Sequence, residues 1–156
     1  MEIIELATGF KKKVLISGVD DSDFKVLLKR HYSFDWKLFK DKLEIFKLYT
    51  EDQPERILGV VGIIDVPDEM RIEIKLIANL LEHVGRAKKY EGIAGCLIAF
   101  IGRKAVSKYE GLACVSLVPK TELIAHYEKK YYMHYAGWQL YLEGTLLRKL
   151  IKEYYL

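Results

Sequence analysis

Residues 70–119 constrain the fold more than any other part of the chain. The segment opens with strict alternation. Arg71, Glu73 and Lys75 interleave with Ile72, Ile74 and Leu76, the period of a half-buried strand. It then passes through "GRAKKYEG", a basic stretch punctuated by glycine, into an apolar run that reads as a helix from about 92 to 108. It closes with "GLACVSLVP", an apolar strand. A strand, a long helix and a strand in that order leave one economical arrangement. The two strands lie parallel and the helix is a right-handed crossover between them.

The flanking sequence fits an α/β layer structure. Residues 12–19, rich in β-branched side chains, read as a strand. "DDSDFKVLLKRHY" reads as a helix with an Asp and Ser cap, its apolar face carrying Phe24, Leu27 and Leu28. "FDWKLF" extends that helix or forms a second short one. Residues 42–50 and 56–66 read as antiparallel neighbours joined by a turn at Pro54. After the crossover, "TELIAHYEKKYY" reads as a helix capped by Thr121, and residues 134–144 as a strand or hairpin bent at Gly137. "TLLRKLIKEYYL" closes the chain as an amphipathic helix with Leu146, Leu147, Leu150, Ile151 and Tyr154 on its apolar face.

The basic loop poses the functional question. Helix N-termini present unpaired N–H groups and partial positive charge, which favour phosphate. Gly92 and Gly95 permit close approach, and Arg86, Lys88 and Lys89 add charge. A phosphate or pyrophosphate cradle and a plain loop with solvated lysines both satisfy this chemistry. The phosphate-loop pattern G-x-x-x-x-G-K-[ST] and the dinucleotide pattern G-x-G-x-x-G are absent.

Lys89-Tyr90-Glu91-Gly92-Ile93-Ala94 resembles the acetyl-coenzyme A motif of the GNAT acetyltransferase superfamily, [QR]-x-x-G-x-[GA]. Lys89 replaces the usual Gln or Arg, keeping a long donor without its planar fork. Downstream, "AHYEKKYYM" resembles the family's Tyr-x-x-x-Gly-Phe ending, with Tyr131 or Tyr132 where glycine is usual. The resemblance covers about residues 43–142. The connection "LLEHVGRA" is longer than usual and the C-terminal helix is an addition, as in a divergent branch.

The resemblance implies an α/β, GNAT-like fold in a single domain, 1–156. Its mixed sheet has about six or seven strands, the fourth and fifth splayed apart, with flanking helices and an extra C-terminal helix. It implies an acetyl-CoA-dependent N-acetyltransferase passing an acetyl group directly to an amine acceptor, on a small molecule or a protein. The pantetheine arm would pair with the fourth strand around Ile77, Asn79 and Leu81. Pyrophosphate would be held by Arg86, Lys88, Lys89, Tyr90, Glu91, Gly92, Ile93, Ala94 and Gly95. Glu73 is the candidate base, against a salt-bridge role with Arg71 and Lys75. Glu82 and His83 are reserve bases. Tyr127 is the candidate acid for the coenzyme thiolate, against a core aromatic role with Leu123 and Ile124. The alternative function is a non-catalytic GNAT-like domain that binds acyl-CoA or a protein partner.

Composition bounds the rest. The chain has 156 residues, 51% apolar and 30% charged, enough to build a core without staples, and its net charge of +3 is mild. Neither nucleic acid nor membrane is an expected partner. Cys96 and Cys114 read as core thiols in a cytoplasmic protein, and the histidines and cysteines lack metal-ligand spacing, so no metal is expected. The terminal helix has two uses, docking on its own sheet or on a second copy in a homodimer.

Overall fold

The computed structural model describes residues 1–155, with the side chain of Ala87 outside that description; Leu156, the last residue of the expected domain, also lies outside the described residues. By contacts the chain divides into two compact units, neither continuous in sequence. One comprises Met1–Gly62 and Leu76–Leu97, the other Ile63–Lys75 and Ile98–Leu156.

The first unit opens with a hairpin, β1 (Glu2–Glu5) and β2 (Lys11–Gly18), paired antiparallel from Glu2↔Lys13 to Ile4↔Lys11. β2 pairs antiparallel with β3 (Glu44–Thr50). Between them the expected single helix over 20–32 is broken. Asp21–Lys25 form a 3-10 turn, locked where the Asp20 N–H donates to the Asp23 carboxylate at 2.7 Å. Leu28 is extended, and α1 is the single turn Lys29–Tyr32. The break lets Phe24, Leu27, Tyr32 and Trp36 all bury, which one straight helical face does not allow at these spacings. Trp36 is fully buried in the following 3-10 turn, Trp36–Phe39, its indole N–H donating to the Tyr32 carbonyl at 2.9 Å.

Two strands span the division between units, β4 (Gly59–Val66) and β5 (Arg71–Asn79). Glycine is required at the start of β4. A Cβ on Gly59 would stand 2.6 Å from Ile93 of α2 (Ile93–Tyr109), so its absence allows the helix to approach the strand. After β5 come two 3-10 turns, Leu81–His83 and Gly85–Ala87, and a two-residue strand β6 (Tyr90–Glu91) paired antiparallel with β1.

In the second unit, β7 (Cys114–Leu117) pairs parallel with β5 from Arg71↔Cys114 to Ile74↔Leu117, as the strand–helix–strand reading requires. A 3-10 turn, Thr121–Leu123, precedes α3 (Ile124–Tyr131). Thr121 is therefore not the helix cap: α3 begins three residues later with no side-chain cap. The bent segment is a hairpin of β8 (His134–Tyr135) and β9 (Leu140–Glu143), and α4 (Gly144–Tyr155) follows. Leu147 packs against α2 at Gly102, where a Cβ would stand 2.9 Å from it.

The strands are hydrogen-bonded in the order β6-β1-β2-β3-β4-β5-β7-β9-β8, a mixed sheet. Nine strands among the described residues correct the expected six or seven. The excess comes from short pieces. β1 and β6 stabilise one another as a ladder of two residue pairs, and β8 is two residues long. Segments of that length carry too little alternation to be read from sequence.

Candidate functional site

The loop motif takes a form that its composition does not reveal. Tyr90 and Glu91 are drawn into the ladder with β1, in register Ile4↔Glu91 and Glu5↔Tyr90, and the Leu6 N–H donates to the Lys89 carbonyl at 2.9 Å. Gly92 has φ +106°, a conformation that side chains other than glycine's rarely adopt. The first intrahelical bond of α2 runs from the Cys96 N–H to the Gly92 carbonyl at 2.9 Å. Helix geometry then leaves the N–H groups of Ile93, Ala94 and Gly95 without carbonyls inside the helix. These three are the donors an anion would meet.

The charged side chains of the loop divide into two groups. Lys88 is paired with Glu91 at 2.5 Å, so much of its charge is already answered. Arg86 and Lys89 are exposed, Lys89 with its ammonium 5.6 Å from the Tyr90 ring centre. Cys96, in the first turn, is fully buried and donates weakly to the Glu2 carbonyl at 3.6 Å. Burial pushes its thiol up to about 12, the value of an inert core cysteine.

Ile77 and Asn79 lie on β5, beyond the last residue paired with β7, Ile74. The parallel ladder stops where β7 ends; Val118 is 57% exposed and Pro119 has no N–H to continue it. Leu81, the third residue expected along that strand edge, falls outside β5. It lies in the 3-10 turn after β5 and is exposed; Leu80, before it, still donates its N–H to the Leu58 carbonyl at 2.9 Å.

In the second unit, Glu73 is buried at 8% exposure and held between two cations. Arg71 donates to its Oε1 at 2.9 Å and Lys75 lies 2.5 Å from its Oε2. Burial alone would raise its pKa, but the bonds from Lys75 and Arg71 prevail and hold it below the ordinary carboxylate value. Arg71 also donates to Ser116 Oγ on β7 at 2.8 Å and to Glu69. Ser116 is fully buried opposite Glu73 in the ladder. Alternation placed Arg71 beside Glu73, but nothing in the sequence marks Ser116, which joins only through the register of β5 and β7.

Tyr127 is equally buried at 8% exposure, on α3. Its ring packs at 5.5 Å on Tyr131 and at 5.7 Å on His126, edge to face. Burial alone raises its pKa; neither a charge nor a hydrogen bond contributes. α3 ends at Tyr132, with φ +60° and ψ +20°. Of Tyr131 and Tyr132, the two residues expected where the resembling motif has glycine, Tyr132 is the one in the left-handed conformation.

The reserve bases sit in the first unit. Glu82 lies 3.6 Å from Arg56, and His83 Nε2 lies 3.4 Å from the same guanidinium. Burial and then Arg56 lower the pKa of His83, keeping it neutral near pH 7. Among the described residues no cluster of His, Cys, Asp or Glu is arranged to hold a metal ion, and no helix is long and apolar enough to cross a membrane.

Three solved structures of acetyltransferases, two of them N-acetyltransferases, share this fold. A dodecameric spermidine N-acetyltransferase from Vibrio cholerae aligns with TM-score 0.62 at 13% identity, over 84% of this chain and 94% of that one. An acetyltransferase from Bacillus subtilis, in complex with CoA, aligns with TM-score 0.54 at 14% identity, over 85% and 99%. The ribosomal-protein-S18-alanine N-acetyltransferase of Escherichia coli aligns with TM-score 0.54 at 16% identity, over 82% and 90%. The chain has the GNAT fold. Identity this low carries the GNAT fold and not the acceptor. No family model matches the sequence, and no curated protein does.

Proposed function

We propose that the chain is one acetyltransferase domain that uses acetyl-CoA to acetylate an amine. The observation that carries this reading is the end of the β5–β7 ladder at Ile74↔Leu117 while β5 runs on to Asn79, followed by a helix that opens on a left-handed glycine. A strand with an unclaimed edge offers backbone groups to an extended amide-bearing arm. In this proposal Ile77 and Asn79 contribute that edge, the N–H groups of Ile93, Ala94 and Gly95 hold pyrophosphate, and Arg86 and Lys89 add charge. The residues fit the coenzyme's chemistry, because a helix N-terminus beside two exposed cations favours phosphate. Bound acetyl-CoA would supply an activated acetyl group. The Tyr127 hydroxyl, protonated throughout the neutral range, is the proposed proton donor to the leaving thiolate. Glu73 is the proposed acceptor of the amine's proton, directly or through water.

One observation favours the second reading, a GNAT-like domain that binds acyl-CoA or a partner without transfer. Glu73 is bonded to two cations and its pKa lies low, so it is ionised but a weak base. The dodecamer of the Vibrio cholerae enzyme also supports self-association as a proposal for this chain, alongside the homodimer that α4 allows.

Isothermal titration with acetyl-CoA tests the cradle. Binding by the wild type should weaken at least tenfold in Gly92→Glu and in Ala94→Glu. The second variant adds a carboxylate beside the free N–H groups without straining the left-handed position. Absence of binding by the folded wild type overturns the proposal. Binding with no acetylation across an amine panel selects the second reading.

A further inference from the structure

The first unit contains a cavity of about 520 Å³, within the range that takes small molecules. Its floor is apolar and buried: Tyr32, Ile57 and Leu80 are 5%, 3% and 4% exposed. The Tyr32 hydroxyl is spent inside the protein, donating to the Ile57 carbonyl at 2.7 Å, and burial pushes its pKa up to about 12. Tyr32 therefore serves the cavity as apolar ring surface, not as a proton donor.

The rim is charged with both signs. Glu55, Arg56 and Glu82 line it, and all three are exposed. Arg56 is only loosely engaged. Glu82 lies 3.6 Å away and His83 Nε2 3.4 Å away, both beyond the roughly 2.7–2.9 Å of a charge-assisted hydrogen bond. Its planar fork retains donors for a bidentate carboxylate. Glu55 makes no ion pair with the described residues. A rim with a free anion and an under-used cation, above an apolar floor, selects its ligand by charge. A polycation would meet Arg56 and a dicarboxylate would meet Glu55 and Glu82, each at a cost. A small molecule with one ammonium and one carboxylate on an apolar body meets Glu55 and Arg56 and leaves Glu82 on its long contact with the Arg56 guanidinium.

We propose that this cavity binds a free α-amino acid with an apolar side chain. Glu55 holds the ammonium, the Arg56 fork holds the carboxylate, and the side chain lies on Tyr32, Ile57 and Leu80. The assignment does not depend on acetyl transfer, since every residue in it belongs to the first unit and binding is measured without coenzyme.

Titration of the whole protein with leucine, followed by the methyl resonances of Ile57 and Leu80, tests it. Leucine should shift both methyls at millimolar concentration. Leucinamide, lacking the carboxylate, should bind at least tenfold more weakly to the wild type. That difference should vanish in Arg56→Gln. N-acetyl-leucine, lacking the ammonium, should also bind at least tenfold more weakly, and that difference should vanish in Glu55→Gln. Both substitutions are on exposed side chains, so folding is retained and is checked by circular dichroism. No shift with leucine overturns the proposal, as does equal binding of leucinamide. Spermidine displacing leucine with greater affinity also overturns it, because Arg56 would then not be selecting against polycations.

Discussion

Glu73 on β5 and Tyr127 on α3 are equally buried, yet their surroundings are opposite in kind. The β5 segment is a closed electrostatic assembly: Arg71, Lys75, Glu69 and Ser116 satisfy the carboxylate and one another. The α3 segment is an apolar nest in which Tyr127 meets rings, and burial alone shifts its hydroxyl. Burial by itself does not mark a reactive group. A carboxylate whose bonds are complete is held in place and is a weak base, while a polar atom left without a charged or bonded neighbour has its full capacity for a substrate.

The largest effect expected from breaking this contrast is on stability. Arg71→Ala removes the donor shared by Glu73 and Ser116, both buried. Lys75 keeps part of the charge answered, so the loss should be about 3 kcal/mol rather than the upper end for a broken buried pair. Urea unfolding measures it. Arg71→Met combined with Glu73→Leu should recover most of the loss, because an apolar replacement leaves no uncompensated charge. If the double variant is as unstable as the single one, the assembly does more than satisfy itself.

Tyr127→Phe should act in the other direction. It removes one hydroxyl whose pKa shows no contribution from protein hydrogen bonds, so unfolding should change little. Turnover in the proposed reaction should fall by about 10²-fold with coenzyme affinity unchanged. Full turnover in this variant removes Tyr127 from the chemistry and returns it to the core.

A smaller effect separates the two segments by pH. The folded pKa of Glu73 is below the ordinary 4.5, so its stabilisation is complete above that value and is lost as pH falls through the folded value. The folded pKa of Tyr127 is above the ordinary 10.0, so its contribution is complete below that value and is lost as pH rises through the folded value. Melting temperatures of wild type minus Glu73→Gln should therefore converge only in acid. Those of wild type minus Tyr127→Phe should diverge only in alkali. The opposite pattern in either variant would reverse the assignment of its surroundings.

Much of this contrast was legible in the sequence and part was not. The alternation of residues 71–76 fixed β5 and put Arg71, Glu73 and Lys75 on one face. The parallel crossover to β7 followed from the length and hydrophobicity of α2. Ser116 was invisible because its role depends on a register between strands more than forty residues apart. The loop motif located the helix start, but β1 had to be seen pairing with Tyr90 and Glu91 before the free donors narrowed to Ile93, Ala94 and Gly95. The cavity under Arg56 gathers α1, the segment before β4 and the turn after β5, three places no local pattern joins.

The smallest effect concerns the end of α3. Tyr132 occupies a left-handed conformation that glycine adopts without strain. The side chain is given other work: its hydroxyl bonds Glu153 of α4, and the Lys149 ammonium lies 4.5 Å from its ring centre. Both contacts are on the surface, where such interactions contribute little. Tyr132→Gly gives up those contacts and the restricted unfolded chain but relieves the backbone, and the opposing terms should leave the melting temperature within about 3 °C of wild type. Tyr132→Ala loses the contacts without relieving the backbone and should melt lower than either. If Tyr132→Gly instead melts well below Tyr132→Ala, the tie from α3 to α4 outweighs the strain. Tyr132 would then be the means by which the terminal helix is held.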